Sequence, residues 1–556
     1  MMQHAVIGLI AALTLAAGAP GQDAPPASEY PGASPGLKFE YKTAAGRVFR
    51  DENGNGELDR SERGIEGVQV TNGRDVVRTR RDGGFRLPVD RDDIISVIKP
   101  RGYRFPLNEL NQPQFFYVHK PKGSPESLAY AGVAPTGELP RSIEFPLIEA
   151  PEPDAFDIIV FGDPQPYSIE QVDHFARDII DPLIGTDAAF GVSMGDIVGD
   201  DLDLFEPYNQ AVSALGIPWR HVIGNHDLNF DVAGDELSDE TWHRVYGPTD
   251  HAFRYAHVTF IVLDNVRYNG GNDIGNYHGE FSEETLEFAR NVIETTPLED
   301  LIVLMFHIPL IGDQFDPGSE SRRELMQMIS TREHTLSIAA HWHVQRHAYL
   351  GTEMGYTGAG GHHHWISPTT SGSWWRGIPD EDGIPHATMR DGSPNGHTVI
   401  SFDRNAYSMR FVPARRHPDH QMRITAPNEI RAGEPFDLLV NAYAGGERDS
   451  VTYTIRAVNG DTTMQGEMAL LQAKDPTYAR LVERSARLDE IKESLGDEAE
   501  WPLGRGLPAQ NMDSAHLWVA KPTLAGVAPG AYVIDVTWTD QFGQVFTQSR
   551  AMRVVE

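Results

Sequence analysis

The chain has 556 residues, 40% of them hydrophobic and 23% charged, with 53 Gly and 38 Pro; that length asks for about three or four folded units, and that composition excludes collagen, coiled coil and disorder throughout. Lys and Arg number 47 against 80 Asp and Glu, a net charge of −33, which disfavours nucleic-acid backbones and anionic lipid surfaces as partners. There is no Cys, so disulfides, thiolate zinc sites and cysteine nucleophiles are excluded.

Residues 1–21 read as a signal peptide. Their apolar run Ala5–Ala19 has the length of a signal h-region and falls short of the roughly 20 residues of a membrane span. The leading MMQH departs from the usual basic start. Residues 22–37, rich in Pro, Ala, Gly and Ser, read as a linker. The expectation is export to the periplasm or beyond, with no membrane span in the mature chain.

Residues 38–150 read as a β-sandwich, because GRVFR, GVQVTNG, GGFRLPV and DIISVIK are short alternating runs separated by Gly and Asp turns. Within them DENGNGELDRSE, residues 51–62, fits a twelve-position Ca2+ loop. Asp51, Asn53, Asn55, Asp59 and Glu62 fall at its oxygen-donor positions, Glu57 offers its backbone carbonyl, and Gly56 takes the sharp turn. The flanks are strands rather than helices, so the loop resembles those of bacterial surface B-type sandwich repeats. Their Gly-Ile-x-Gly-Val continuation is present as Gly64-Ile65-Glu66-Gly67-Val68. A solvated acidic turn is the plainer alternative.

Residues 155–415 alternate apolar strands with helical stretches, the pattern of an α/β layer fold. Residues 418–556 return to strands and read as a second sandwich. One helix interrupts it, with Tyr478, Leu481, Val482, Leu488, Ile491 and Leu495 on one face.

The chemistry-bearing residues follow the apolar runs of the α/β part. DIIVFG leads to Asp163 and Gln165, FGVSM to Gly195-Asp196, and WRHVI to Gly224-Asn225-His226-Asp227. LIVLMF leads to His307, and TLSIAA to His341 and His343. Ligands of open α/β sheets gather beyond the carboxyl ends of strands. Oxygens of Asp, Asn and Gln mixed with His nitrogens suit Mn, Fe or Zn. The donors suffice for two ions, which a bridging carboxylate holds at the spacing that activates water and clamps a phosphoryl group.

The ordered set D-x-Q, G-D-x-x-x-D, G-N-H-D, H-x-P and H-x-H resembles the calcineurin-like metallophosphoesterase superfamily over residues 156–413. The stretch Gly372–Phe402 and the two sandwiches resemble its exported bacterial members, which carry additional N- and C-terminal β-domains. The resemblance implies a central β-sandwich flanked by helices. It also implies that Asp163 and His343 bind a first metal with Gln165 alongside, that Asp196 bridges, and that Asn225, His307 and His341 bind a second. His226 would bind no metal, stabilise developing charge and protonate the leaving oxygen. Three departures stand out. Gln165 replaces the usual His of the first motif, Ala340 replaces a Gly before His341, and Gly199 occupies the position of the acid that orients the catalytic His. Asp200 or Asp201 must stand in for that acid, and Asp200 is taken with His226 as the catalytic pair.

Candidates for the substrate pocket are His362 and His364 after a Gly-rich turn, Trp374 and Trp375 as an apolar wall, and Asp391 and Asn395 nearby. The plainer alternatives are a polar loop and a packing anchor. The expectation is an exported dimetal phosphoesterase that hydrolyses a small phosphate monoester or diester by attack of metal-activated hydroxide. A non-catalytic, metal-containing surface binding protein and a nuclease are the alternatives, and long nucleic acid is not expected as a partner. Oligomeric state is left open.

Overall fold

A computed structural model describes residues 42–316, 318–458, 460, 462–496 and 511–556. The expected leader and linker lie outside these residues. The described residues belong to one compact unit.

At the centre two sheets pack face to face. One has five strands, in the order Trp219–Val222, Phe190–Met194, Ala155–Phe161, Gly396–Asp403, Ala406–Pro413. The other has six, in the order His251–Tyr255, Val258–Val262, Leu301–Met305, Thr335–Ala339, His362–Ile366, Arg346–Leu350. Five neighbouring pairs are parallel, while the inner strand Gly396–Asp403 runs antiparallel to both of its neighbours. Phe190–Met194 and Leu301–Met305 are buried along their whole length because both faces are covered. Ile158 and Val160 point into the space between the sheets with Val192, Met194, Phe260, Val303 and Ile338. Ile159 and Phe161, one residue out of phase, point to the helical side with Phe175, Phe205 and Val292.

The helices form where the sequence caps them. Ser282 accepts from Thr285 N and opens the helix Glu283–Thr295, which carries Glu283 and Glu284 in its first turn. Leu286, Ala289, Val292 and Ile293 lie at helical spacing and are buried on the sheet side. After Ser168, which caps it, the chain is α-helical only over Ile169–Phe175. It then widens to a π-turn over Ala176–Ile180 and tightens at Asp181–Leu183, where Pro182 cannot donate to the ladder.

Two further sheet pairs flank this centre. On the N-terminal side, four-stranded sheets built on Lys42–Arg50 and Asp93–Ile98 enclose Val48, Val70, Phe85, Leu87, Val97 and Phe145. On the C-terminal side, a four-stranded sheet around Leu438–Ala442 faces a five-stranded one around Gly530–Thr539, enclosing Val440, Ile455, Ile534 and Trp538. The helix Pro476–Leu495 is present, capped by Asp475, but its expected apolar face is buried only in its first half. Tyr478 is fully enclosed, whereas Ile491 and Leu495 are exposed. Among the described residues no helix is long and apolar enough to cross a membrane.

Candidate metal centre

The strand tips set the site. Each of the runs ending at Phe161, Met194, Val222, Met305 and Ala339 is a fully extended, buried strand, and the turn after it bends sharply enough to display a polar side chain. The bending is visible in the backbone. Asp163, Gln165, Asp196, Asp200, His341 and His343 all have positive φ, from 37° to 71°. Non-glycine residues enter that region at about 1–3 kcal/mol each and persist only where the surroundings over-determine them. Two glycines make the close approach possible. A Cβ on Gly195 would meet the His307 ring at 2.3 Å, and one on Gly224 would meet Asp196 N at 2.0 Å.

The donor atoms converge. His307 Nδ1 lies 2.8 Å from the Met194 carbonyl and donates to it, so Nε2 presents its lone pair. That Nε2 lies 3.1 Å from Asn225 Oδ1, 3.2 Å from Asp196 Oδ1 and 3.2 Å from His341 Nδ1. Asp196, His307 and His341 each bring one ligand atom within 4.8 Å of the others. His343 stands beside Asp163, its Nε2 3.8 Å from Oδ1, and its Nδ1 is fixed at 2.7 Å by the Gly372 carbonyl. Asp163 is itself held, with His341 N donating to its carboxylate at 2.9 Å and Ser371 Oγ donating to its carbonyl at 2.6 Å. Carboxylate, amide and imidazole donor atoms converging on one point are what a cation requires, so the residues present fit a metal centre.

Burial pushes Asp163 up to about 8. Burial works the same way on Asp196, but His307 and His226 beside it hold it below the ordinary carboxylate range. Burial opposes a charge on His307, yet Asp196 and Asp163 raise it to about 9. Burial holds His341 at about 3 and His343 at about 4, the neutral form a ligand must have.

His226 is placed differently. Its N–H donates to Asp196 Oδ1 at 2.9 Å, while its ring turns away, with Nδ1 2.6 Å from Asp200 Oδ1. Burial opposes its protonation, but Asp196 and Asp200 raise it to about 9. Of the two acids that could stand in for the missing partner, Asp200 is the one in contact. Gly199 leaves no room for a side chain, because a Cβ there would meet the Tyr167 ring at 2.6 Å. Asp227, fully buried, accepts from Gly224 N at 2.8 Å and Val198 N at 3.2 Å, tying the loop of His226 to the loop of Asp196.

Gln165 lies at the centre's edge, its Oε1 accepting from Trp374 Nε1 at 2.5 Å and its Nε2 donating to Tyr167 Oη at 3.3 Å. One lone pair of the amide oxygen is thus taken and the other is free. Trp374 also stacks obliquely on His343 at 4.3 Å and is half-buried, so it borders the centre. Tyr167 and Tyr277 border it too, edge-on to His226 and His341. Neither tyrosine belongs to a recurring motif, and sequence reading passed over both.

Five pocket candidates are corrected. His362 and His364 sit within a strand beside Thr335–Ala339, fully buried and bonded to the hydroxyls of Thr335 and Ser337. His364 Nε2 also accepts from Leu310 N at 3.2 Å. A strand turns alternate residues to opposite faces, and both faces here are enclosed. Trp375 is buried and donates to Asp178 at 3.1 Å, so it is a packing anchor. Asn395 donates to the same carboxylate at 2.9 Å. Asp391 faces the C-terminal sheets, receiving Gln345 N at 2.8 Å and lying 3.1 Å from His516 Nε2.

In the N-terminal loop the carboxylate of Asp51 receives Gly54 N and Gly56 N, and Glu62 receives Glu52 N and Asp59 N. Asn53 Oδ1 accepts from Asn55 N, Asn55 Oδ1 from Glu57 N, and Asp59 Oδ2 from both Asn side chains. The side-chain oxygens therefore turn inward along the whole segment.

Three family models match the chain. Calcineurin-like phosphoesterase matches residues 156–345, its N-terminal companion 52–132 and its C-terminal companion 364–546. No curated protein matches. Among solved structures the chain is similar to a purple acid phosphatase from yellow lupin (Lupinus luteus) seeds. That likeness has 10% identity and a TM-score of 0.33, and it covers 62% of this chain and 66%, just under two thirds, of that one. It is also similar to a superoxide reductase (neelaredoxin) from Ignicoccus hospitalis, at 10% identity and a TM-score of 0.14, over 24% of this chain and 81% of that one. Likenesses this distant carry no further argument.

Proposed function

Because the chain belongs to the calcineurin-like phosphoesterase family, we propose that it hydrolyses a small phosphate monoester or diester with two divalent metals, Mn, Fe or Zn. The observation that carries this reading is the set of bare donor atoms around His307 Nε2, with His226 beside them and free of them. Asp163 and His343, with the free lone pair of Gln165, would hold one ion. Asn225, His307 and His341 would hold the other, and Asp196 would lie between. When bound, such ions supply Lewis acidity and an activated water.

The chain's own residues do the rest. Asp200 fixes the His226 ring through Nδ1, which leaves Nε2 to carry a proton towards the leaving oxygen. The Met194 and Gly372 carbonyls fix the tautomers of His307 and His343, so neither ring must reorganise. Tyr167, Tyr277 and Trp374 keep part of the rim apolar and limit water there.

The same reading takes the chain as exported, on the apolar run at residues 5–19. It assigns the inward-turned oxygens of residues 51–62 to a structural Ca2+. The test is hydrolysis of nitrophenyl phosphate and bis-nitrophenyl phosphate by metal-stripped protein given Mn2+, Fe2+, Zn2+ or Mg2+. Metal-dependent turnover that disappears in His226→Ala is expected. Two bound ions without turnover on either ester would overturn the catalytic reading.

A further inference from the structure

At the far end of the GNHD strand from His226 lies a cavity of about 230 Å3, roofed by residues 108–116 of the N-terminal part. Strand Trp219–Val222 is the edge of its sheet, and the roof covers that edge through Trp219 N donating to Asn111 O at 3.1 Å. Arg220 lies five positions before Asn225, at most roughly 16 Å of extended chain. None of the residues lining the cavity is a candidate metal ligand, so it is not part of the metal centre.

Its walls contain an uncompensated cation. Arg220 is only 6% exposed, and its Nη1 has no hydrogen-bond partner. Among the described residues no carboxylate forms an ion pair with it. Aromatic faces surround it instead, with Phe253, Phe115 and Phe105 centred 3.9, 5.4 and 5.9 Å from the guanidinium carbon. Rings stabilise the flat faces of a guanidinium and leave its edge donors unsatisfied. Two more buried donor-capable atoms on the same cavity also lack partners, His221 Nε2 and Gln112 Nε2. Two other buried cations have carboxylate partners, Lys99 with Glu152 and Lys120 with Glu240. Burial alone brings Arg220 down to about 9, so it remains a cation at neutral pH. An enclosed charge without a counter-ion is unfavourable unless a ligand supplies the missing charge.

We propose that this cavity binds a small oxyanion, a phosphate or a short carboxylate, on Arg220 Nη1. The anion meets a donor edge backed by three rings. The volume admits an ion of that size with a water or a short apolar tail and excludes polymers.

The test is calorimetric titration of the full chain, metal-stripped so that the metal centre does not compete, with inorganic phosphate and separately with sodium acetate. Saturable binding of one anion is expected. Arg220→Met should bind it at least about tenfold more weakly while hydrolysing nitrophenyl phosphate normally once metals are restored. The Asn225→Ala chain should bind it unchanged. The stronger of the two anions names the class. If Arg220→Met fails to fold, Arg220→Lys, which keeps the charge and loses the planar donor edge, carries the comparison, again with at least about tenfold weaker binding expected. Absence of binding by both anions, or equal binding by wild type and the cavity variants, would overturn the proposal. So would loss of binding in Asn225→Ala, which would place the anion at the metal centre.

Discussion

Two groups of three histidines lie on the same sheet and do opposite things. His307, His341 and His343 follow strand tips. His362, His363 and His364 run consecutively within a strand. Both groups are buried or nearly so. At the tips backbone carbonyls fix Nδ1 of His307 and of His343 and turn Nε2 towards the carboxylates of Asp196 and Asp163. Within the strand the partners are hydroxyls and another ring, and both nitrogens of every histidine are used. His362 bonds Thr335 and Ser337, His363 bonds Tyr407 and His347, and His364 bonds Ser337 and Leu310 N. A histidine becomes a ligand when the fold spends only one of its nitrogens on structure.

That contrast can be broken or sharpened by substitution. The largest effect is expected from Asp196→Ala, which should strip both ions, measured by elemental analysis, and reduce ester hydrolysis to the uncatalysed level. A variant that retains two ions would move the bridge to another residue. His226→Ala should keep its metals and lose about 10²–10⁴ in kcat; lost metal instead would make His226 a ligand. Trp374→Phe releases the amide oxygen of Gln165 and should weaken metal binding about 10- to 100-fold in a chelator competition. Unchanged affinity would remove Gln165 from the centre.

The strand histidines should affect stability alone. His362→Leu strands two hydroxyls and should lower unfolding free energy by about 1–3 kcal/mol, with KM unchanged. A KM change without a loss of stability would return it to the pocket. The smallest effect is on pH dependence. Burial holds His362 and His364 at about 3, below the ordinary value near 6.5. The unfolded chain therefore binds more protons between those limits. Their stabilisation is complete above about pH 6.5 and is lost as pH falls towards 3, by up to about 1.4 kcal/mol per pH unit for each ring. Denaturant titrations of metal-stripped protein at pH 7 and 5 should show a shallower loss in His362→Leu, and an equal loss would mean that His362 is charged in the fold.

The same contrast shows what the sequence carried. Strand ends are legible because an apolar run stops at a polar motif, and so Asp163, Asp196, Asn225, His307, His341 and His343 could be picked out as a set. Residues 362–364 looked like a polar cluster after a Gly-rich turn. Nothing in a linear string says that a strand there is covered on both faces. Asp391 and Asn395 were misplaced for the same reason, since their partners His516 and Asp178 lie more than a hundred residues away in the chain. The sequence reading pairs Asp200 with His226, and the positive φ at Asp200 and the Tyr167 ring over Gly199 are the geometry by which that acid reaches the ring. Tyr167 and Tyr277 reach the centre through loop geometry that has no sequence period.

Ser373, one residue before Trp374, lies with its hydroxyl 3.3 Å from that of Tyr478, which belongs to the helix of the C-terminal part. The capping Asp475 presses against Gly392 in the same neighbourhood. An excised central segment would lose the prop beneath its own rim. Recombination that exchanges the C-terminal part between relatives must carry the Ser373 contact with it, which makes this chain a poor donor of a free-standing hydrolase module.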